Sequence, residues 1–204
     1  MYSTRPGLVL GFHGCDKTVV DKVINGKADL NFSENTFDWL GHGVYFWEYS
    51  AERAFDYATE VSLHKKGKNK IKDPAILGAV IDLGYCLDLI EFKNLAILKE
   101  NFEYFKATCN SSGIELPINK TIGGTDDLLL RDLDCAIIEF VHQSRINMGR
   151  RPYDSIKGVF IEGSDLYPNA GFKEKNHIQI CIRNPNCLKG FFLPRMLNDK
   201  YPDV

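Results

Sequence analysis

The pattern of apolar and polar positions divides the first third of the chain into two strand–helix pairs. An apolar run at 7–14 predicts a buried strand, and Asp16 is a suitable N-cap for a helix over 17–25. The run 44–47 is β-branched or aromatic and predicts a second strand. It leads into 50–64, where apolar residues recur at helical spacing.

The remainder continues this mixture of strands and helices. Apolar runs predict strands at 75–83, 156–162 and 188–193, and helical spacing predicts helices at 94–108 and from Asp126 or Asp127 to about 146. Around Gln179 the pattern has period two, so that Gln179 and Cys181 face away from Ile178, Ile180 and Ile182. With no repeat and no linker, the sequence predicts one domain over 1–204 of the α+β class.

Composition and charge restrict the class of protein further. The formal net charge of −2 gives no overall footprint for nucleic acid. No apolar run reaches the ~18 residues of a membrane-spanning helix, and the first residues lack a signal-peptide pattern. The six cysteines include no C-x-x-C pair, which argues against a zinc site and a disulfide scaffold. We therefore expect a cytoplasmic protein with reduced thiols, no metal and no membrane contact.

Chemically useful groups stand at three strand ends. His13-Gly14 closes the first strand, a Gly-x-Gly turn precedes Tyr45, and Gln179 lies on the last long strand. Each has a structural explanation: a histidine at a strand end is often hydrogen-bonded structure, an aromatic in a strand is often core, and a glutamine on a polar face often meets solvent. Their combination in this order favours a common site.

These three blocks together resemble the ADP-ribosyltransferase fold of the diphtheria-toxin and poly(ADP-ribose) polymerase type. The matching residues are His13-Gly14, the Gly-Val-Tyr-Phe run at 43–46 before a helix containing Phe-Asp-Tyr-Ala, and the strand through Gln179. The middle of the chain is not covered. The resemblance implies a split, mostly antiparallel sheet flanked by helices. It puts His13, Tyr45 and Gln179 at the family's His-Tyr-Glu triad.

The same resemblance implies an NAD site. Besides His13 and Tyr45, the implied NAD contacts are Gly14, Gly43, Phe46 and Tyr57. His13 would hydrogen-bond the adenosine ribose, and the backbone of Gly14 would hold the carboxamide. Tyr45 and Tyr57 would enclose the nicotinamide ring, a role that offset aromatic stacking suits.

Gln179 departs from the family pattern. Glutamine keeps the hydrogen bond of a glutamate but carries no charge and cannot act as a base near neutral pH. We therefore expect transfer of a single ADP-ribose by a mono-ADP-ribosyltransferase, with Glu162 or Glu174 as substitute carboxylates. Two alternatives are an inactive NAD- or ADP-ribose-binding module and an NAD glycohydrolase. An RNA 2′-phosphotransferase of related fold is disfavoured, since that family has a histidine and an arginine where this chain has Tyr45 and its aromatic neighbours.

The acceptor implied by the resemblance is a macromolecule, either protein or nucleic acid (RNA or DNA). The loop 163–176 commonly shapes acceptor recognition in this fold, which makes Tyr167 and Phe172 candidate contacts. Small standalone relatives often act as toxins in toxin–antitoxin or phage-defence systems, which would imply an antitoxin partner. The basic run 65–72 is either a solvated loop or a contact to a phosphate backbone.

The basic run provides a direct test of an RNA acceptor. Replacing Lys65, Lys66, Lys68 and Lys70 with alanine should weaken RNA binding and flatten its salt dependence, by about 0.7 in the log–log slope for each phosphate that is no longer neutralised. Fluorescence anisotropy with labelled single-stranded RNA at several salt concentrations measures both effects. Unchanged binding at low salt would contradict an RNA-binding role for these lysines.

Overall fold

The molecule is organised around one large β-sheet with helices packed on it. The computed structural model describes residues 7–63, 71–122, 127–195 and 198–202. The strands are β1 (Leu8–Asp16), β2 (Val44–Glu48), β3 (Pro74–Asp82), β4 (Cys86–Asp88), β5 (Asn119–Thr121), β6 (Leu128–Arg131), β7 (Ser155–Phe160), β8 (His177–Ile182) and β9 (Leu188–Phe192). The helices are α1 (Lys17–Ile24), α2 (Ala51–Leu63), α3 (Phe92–Ser112) and α4 (Asp132–Asn147), with a short 3₁₀ turn at Pro185–Cys187.

The main sheet brings the chain's first and last strands together. Within the described ranges it has seven strands in the order β4-β7-β8-β2-β1-β3-β9, and β5 and β6 form a separate hairpin. Neighbouring strands of the main sheet run antiparallel, except that β4 runs parallel to β7. The predicted α+β class with a mostly antiparallel sheet is confirmed.

Both faces of the sheet carry a hydrophobic core, which explains why β8 is apolar on both sides. One core contains Ile180 and Ile182 of β8 together with Val20 and Val23 of α1. The other contains Cys181 and, from α4, Ile138 and Val141. The predicted alternation of β8 is thus confirmed: Ile180 and Ile182 lie on one face of the strand and Cys181 on the other. Its second face is buried under α4 at Cys181, whereas Gln179 is only partly buried.

Local sequence signals account for the ends of several helices. Asp16 caps α1, as predicted, because its side chain accepts a hydrogen bond from the Thr18 amide at 3.0 Å. Gly113 ends α3 with a φ of 65°, a left-handed conformation that glycine adopts without strain. Charged residues interrupt the helices, and in the described part of the chain none is both long and apolar enough to cross a membrane.

One predicted helix begins later than its pattern suggested. The helix expected from Asp126 or Asp127 is α4, which starts at Asp132. The leucines before it form β6, which pairs with β5, because the hairpin satisfies their backbone groups as a helix turn would. No pattern in the sequence indicated the short strand β4. The predicted turn at 123–124 and Asp126 lie outside the described residues.

Helix α2 lies unusually close to the sheet at Gly14. A Cβ added to Gly14 would overlap the backbone carbonyl of Ala54, and Ala54 and Ala58 are fully buried. Small residues on both elements therefore bring the α2 backbone against β1. This close packing fixes the position of α2, and with it the side chains that α2 presents beside β2.

We predict that Gly14→Ala destabilises the fold by about 2 kcal/mol, since overpacking against a backbone cannot be relieved by a rotamer change. Gly190→Ala in β9 is the matched control, because a Cβ there meets no atom within 4 Å. Urea unfolding of the two variants and the parent protein measures the difference. Equal midpoints for both variants would show that α2 can move away from the sheet.

Candidate functional site

Strands β1 and β2 separate after only two paired positions. Their register consists of Gly11 with Glu48 and Phe12 with Trp47. At the next position of β1, a side-chain hydrogen bond replaces the backbone pairing: Nδ1 of His13 lies 2.8 Å from the Tyr45 carbonyl oxygen. The two strands therefore diverge at this point, and a histidine side chain joins them in place of a backbone pair.

The hydrogen bond fixes the protonation of His13. A carbonyl oxygen only accepts, so Nδ1 must carry the proton and Nε2 is left as the acceptor of a neutral ring. Burial lowers the pKa of His13, an effect that the hydrogen bond to Tyr45 offsets only in part. At neutral pH the site therefore offers an uncharged imidazole whose acceptor nitrogen has no hydrogen-bond partner in the part of the chain that the structure describes.

Tyr45 anchors the loop that precedes β2. Its hydroxyl donates to the Gly41 carbonyl at 2.7 Å and accepts from the Leu40 amide at 3.0 Å. Burial raises the pKa of Tyr45 well above its usual value. Because the hydroxyl proton is donated to Gly41 within the protein, Tyr45 has no O–H left to donate and meets a ligand mainly with its ring.

The Gly41-His42-Gly43 turn is clamped to α4 by Glu139. Glu139 accepts from the His42 amide at 2.8 Å and forms a two-point ion pair with Arg183, whose Nη2 lies 3.0 Å from Oε2. Gly41 has a φ of 76°, and a Cβ there would come within 2.5 Å of Glu139. A Cβ on Gly43 would lie 2.6 Å from the Ile182 carbonyl. Both glycines are thus required by close packing.

Gln179 faces Trp39. Its Oε1 accepts from the Trp39 indole N–H at 2.7 Å. An indole nitrogen can only donate, so the amide oxygen must point to Trp39 and the NH₂ group away from it. Gln179 therefore presents an amide donor to the groove beside an amide oxygen that is bonded to Trp39.

Aromatic rings form one wall of the same region. Tyr57 of α2 packs on Trp47 of β2 with ring centroids 5.0 Å apart, and Arg53 lies 5.9 Å from the Trp47 ring. Trp47 follows Tyr45 by two positions and shares its face of β2. Trp47 Nε1 is buried and has no hydrogen-bond partner among the described residues.

These groups converge on one groove of about 1760 Å³. Six residues singled out from the sequence line it: His13, Gly14, Gly43, Tyr45, Tyr57 and Gln179. The predicted NAD contact of Phe46 has to be corrected. Its side chain is fully buried in the core on the opposite face of β2 from Tyr45, so it cannot contact a ligand in the groove. Alternation along the strand separates the two neighbours.

The two glutamates considered as substitutes for the family's carboxylate both line the groove but are engaged. Glu162 is buried and lies 2.5 Å from Nη2 of Arg53, so it forms an ion pair. Glu174 is exposed and accepts from the Ser164 amide at 3.2 Å. The structure thus assigns Glu162 to positioning Arg53 and Glu174 to the loop that follows β7.

The two residues expected to contact an acceptor are prominent on the surface. Tyr167 and Phe172 are 57% and 61% exposed, in the loop between β7 and β8. Other residues of this loop, from Gly163 to Asp165 and from Lys173 to Lys175, line the groove. Most of the basic run, at 64–70, lies outside the described residues, whereas Ile71 and Lys72 line the groove.

The groove residues that sequence reasoning missed include Asp38, Trp39, Trp47 and Arg53. Trp47 could have been found, because period-two alternation puts it on the same face as Tyr45. Arg53 lies one helical turn before Tyr57 on α2, so helical spacing also carried a signal. Asp38 and Trp39 belong to an irregular loop, whose approach to Gln179 depends on contacts distant in sequence.

Comparison with known proteins leaves the function open. No protein-family model matches the chain, and no solved structure matches it. The chain is 22% identical over 197 residues to an uncharacterized protein of Methanocaldococcus jannaschii, with 87% of this chain and 83% of that protein covered. Function must therefore be argued from the groove.

We predict that Glu139→Gln weakens the fold by about 2 kcal/mol at pH 7, the cost of losing charged hydrogen bonds. Burial opposes ionisation of Glu139, but its bonds to Arg183 and the His42 amide outweigh this and lower its pKa. A carboxylate whose pKa is lower in the folded than in the unfolded protein stabilises the fold fully above its unfolded pKa of about 4.3. That stabilisation is lost as the pH falls through the pKa of the folded protein.

The difference in stability between Glu139→Gln and the parent protein should therefore be constant above about pH 5 and become smaller in more acidic buffer. Thermal unfolding across a pH series measures it. Glu103→Gln, an exposed site on α3, is the control and should match the parent. A gap that does not change with pH would contradict the ion-pair explanation.

Proposed function

We propose that the protein is an NAD-dependent mono-ADP-ribosyltransferase that binds NAD in the groove and transfers ADP-ribose to a macromolecular acceptor. The observation that carries the proposal is the convergence of His13, Tyr45, Tyr57 and Gln179 on one groove at the split between β1 and β2. These residues come from three separated blocks of the chain that share only a family resemblance. Their meeting in space supports a common ligand.

The chemistry of each group suits the proposed substrate. A neutral His13 with a free Nε2 can accept a hydrogen bond from a ribose hydroxyl. Tyr45 and Tyr57 line the groove without a ring contact to each other among the described residues. A flat ring between them would gain stacking contacts with both. The Gln179 amide, whose oxygen is engaged by Trp39, can donate to a sugar hydroxyl.

The groove also bears on the acceptor. Carboxylates outnumber lysines and arginines among its described lining residues. A surplus of carboxylates attracts a cationic polypeptide at short range. We therefore propose a protein acceptor ahead of RNA or DNA. A role as a toxin restrained by an antitoxin is compatible with a macromolecular acceptor and rests on the family resemblance alone.

A binding module without turnover is the second candidate, and Gln179 is the observation that favours it. An amide cannot offset positive charge on a sugar as a carboxylate would. NAD glycohydrolysis is the third outcome, in which water takes the place of the acceptor. Product analysis separates the three.

The test uses NAD labelled on the adenylate phosphate, mixed with the protein alone, with cell protein and with cell RNA. We expect nicotinamide release together with label transferred to protein. His13→Asn should reduce both at least tenfold, because the asparagine amide can still bond the Tyr45 carbonyl while the Nε2 acceptor is removed. Tyr57→Ala should weaken NAD binding by about tenfold, the value of one stacking partner.

Tyr104→Ala, on an exposed site of α3, is the control and should behave like the parent protein. Nicotinamide release without transfer would identify a glycohydrolase. Tight NAD binding without any nicotinamide release would identify a binding module. Absence of NAD binding would reject the proposal.

A further inference from the structure

We propose that Asp38 supplies the carboxylate that Gln179 lacks and is a catalytic residue of the groove. This inference rests on the proposed function. Asp38 lines the groove together with His13, Tyr45, Tyr57 and Gln179. It belongs to the loop before β2 and so comes from a part of the fold different from the strand that carries Gln179.

The two residues that follow Asp38 contact the two key side chains. The next residue, Trp39, donates its indole N–H to Gln179 at 2.7 Å. The residue after that, Leu40, donates its amide to the Tyr45 hydroxyl at 3.0 Å. Since Trp39 reaches β8 and Leu40 reaches β2, the backbone at Asp38 is tied to both strands.

The charge of Asp38 reaches the aromatic side chains of the groove. Burial raises the pKa of Tyr57, and the negative charge of Asp38 adds to that effect. Burial likewise raises the pKa of Tyr45, and Asp38 is again among the charges that add to it. The proposed nicotinamide position between these rings is therefore within the field of a carboxylate.

The loop around Asp38 is preorganised. A two-way backbone bridge between Ser33 and Gly43 closes the loop, with N–O distances of 2.9 and 3.0 Å. Asp38 itself accepts from the Asn35 amide at 2.9 Å and from the Asn35 side chain at 3.3 Å. A carboxylate has about four acceptor positions, so these two bonds leave capacity for a ligand.

The proposed step is cleavage of the bond between ribose C1′ and the nicotinamide nitrogen. The bonding electron pair leaves with nicotinamide, which becomes neutral, and the positive charge passes to the ribosyl oxocarbenium. Asp38 stabilises that cation by its charge and takes no proton. The acceptor's nucleophilic atom then bonds to C1′ and releases its proton to solvent.

A structural role for Asp38 is the competing explanation, because its bonds to Asn35 shape the loop. Asp38→Asn separates the two roles, since the amide oxygen still accepts from the Asn35 backbone while the charge is removed. We expect nicotinamide release to fall about 100-fold in kcat, with the Kd for NAD by calorimetry and the unfolding temperature close to those of the parent. Asp21→Asn, on α1 outside the groove, is the control and should retain parent activity.

Gln179→Glu gives two further measurements. In the Asp38→Asn background it should restore at least tenfold of the missing rate. In the otherwise unaltered protein it should raise the rate by a much smaller factor than in the Asp38→Asn background, because a carboxylate is already present. This second measurement does not depend on the folding of an Asp38 variant, and a 100-fold gain there would overturn the inference.

The outcomes separate this inference from the proposed function. Parent-like turnover by Asp38→Asn, with turnover abolished in His13→Asn, would overturn the role of Asp38 and retain the transferase. A loss in Asp38→Asn that Gln179→Glu does not restore would also overturn it, in favour of a structural role. A parent protein that neither binds nor cleaves NAD would overturn both.

Discussion

The carboxylate of Glu139 is the constraint on which the geometry of the groove depends. It joins α4 to the His42 amide and to Arg183, which directly follows β8. The turn before β2 and the end of β8 are therefore fixed to the same side chain. Tyr45 and Gln179 lie on these two strands, which pair directly with each other, and the clamp reinforces that pairing at one end.

A second set of contacts extends this order into an irregular loop. The Tyr45 hydroxyl holds the backbone of Leu40 and Gly41, and the Gln179 amide holds Trp39. Polar atoms of Tyr45 and Gln179 thus form hydrogen bonds that order this loop. The groove is lined by aromatic rings, an amide donor, an imidazole nitrogen and a carboxylate on this bonded loop.

Much of the secondary structure and part of the groove could be predicted from the sequence, because the signals that determine them are local. Caps, alternation and helical spacing located α1, α2, β3 and β8, and the same periodicity implied the face shared by Tyr45 and Trp47. The assignment of Phe46 to the ligand site failed because it ignored that alternation. Asp38 could not be assigned to the groove, since the approach of its loop to Gln179 depends on an indole contact of Trp39 that spans 140 residues. Pairing across such separations is set by tertiary packing, which single-residue preferences do not encode.

The contact between Gly14 and Ala54 determines the mechanics of the groove. With its backbone against β1, α2 cannot slide or tilt without breaking a close-packed seam. The side of the groove that carries Tyr57 is therefore held in a fixed position. The loop between β7 and β8 is tied to the same helix by the ion pair between Lys175 and Glu60. Because α2 cannot give way, the space in front of Tyr57 limits which rings the groove can admit.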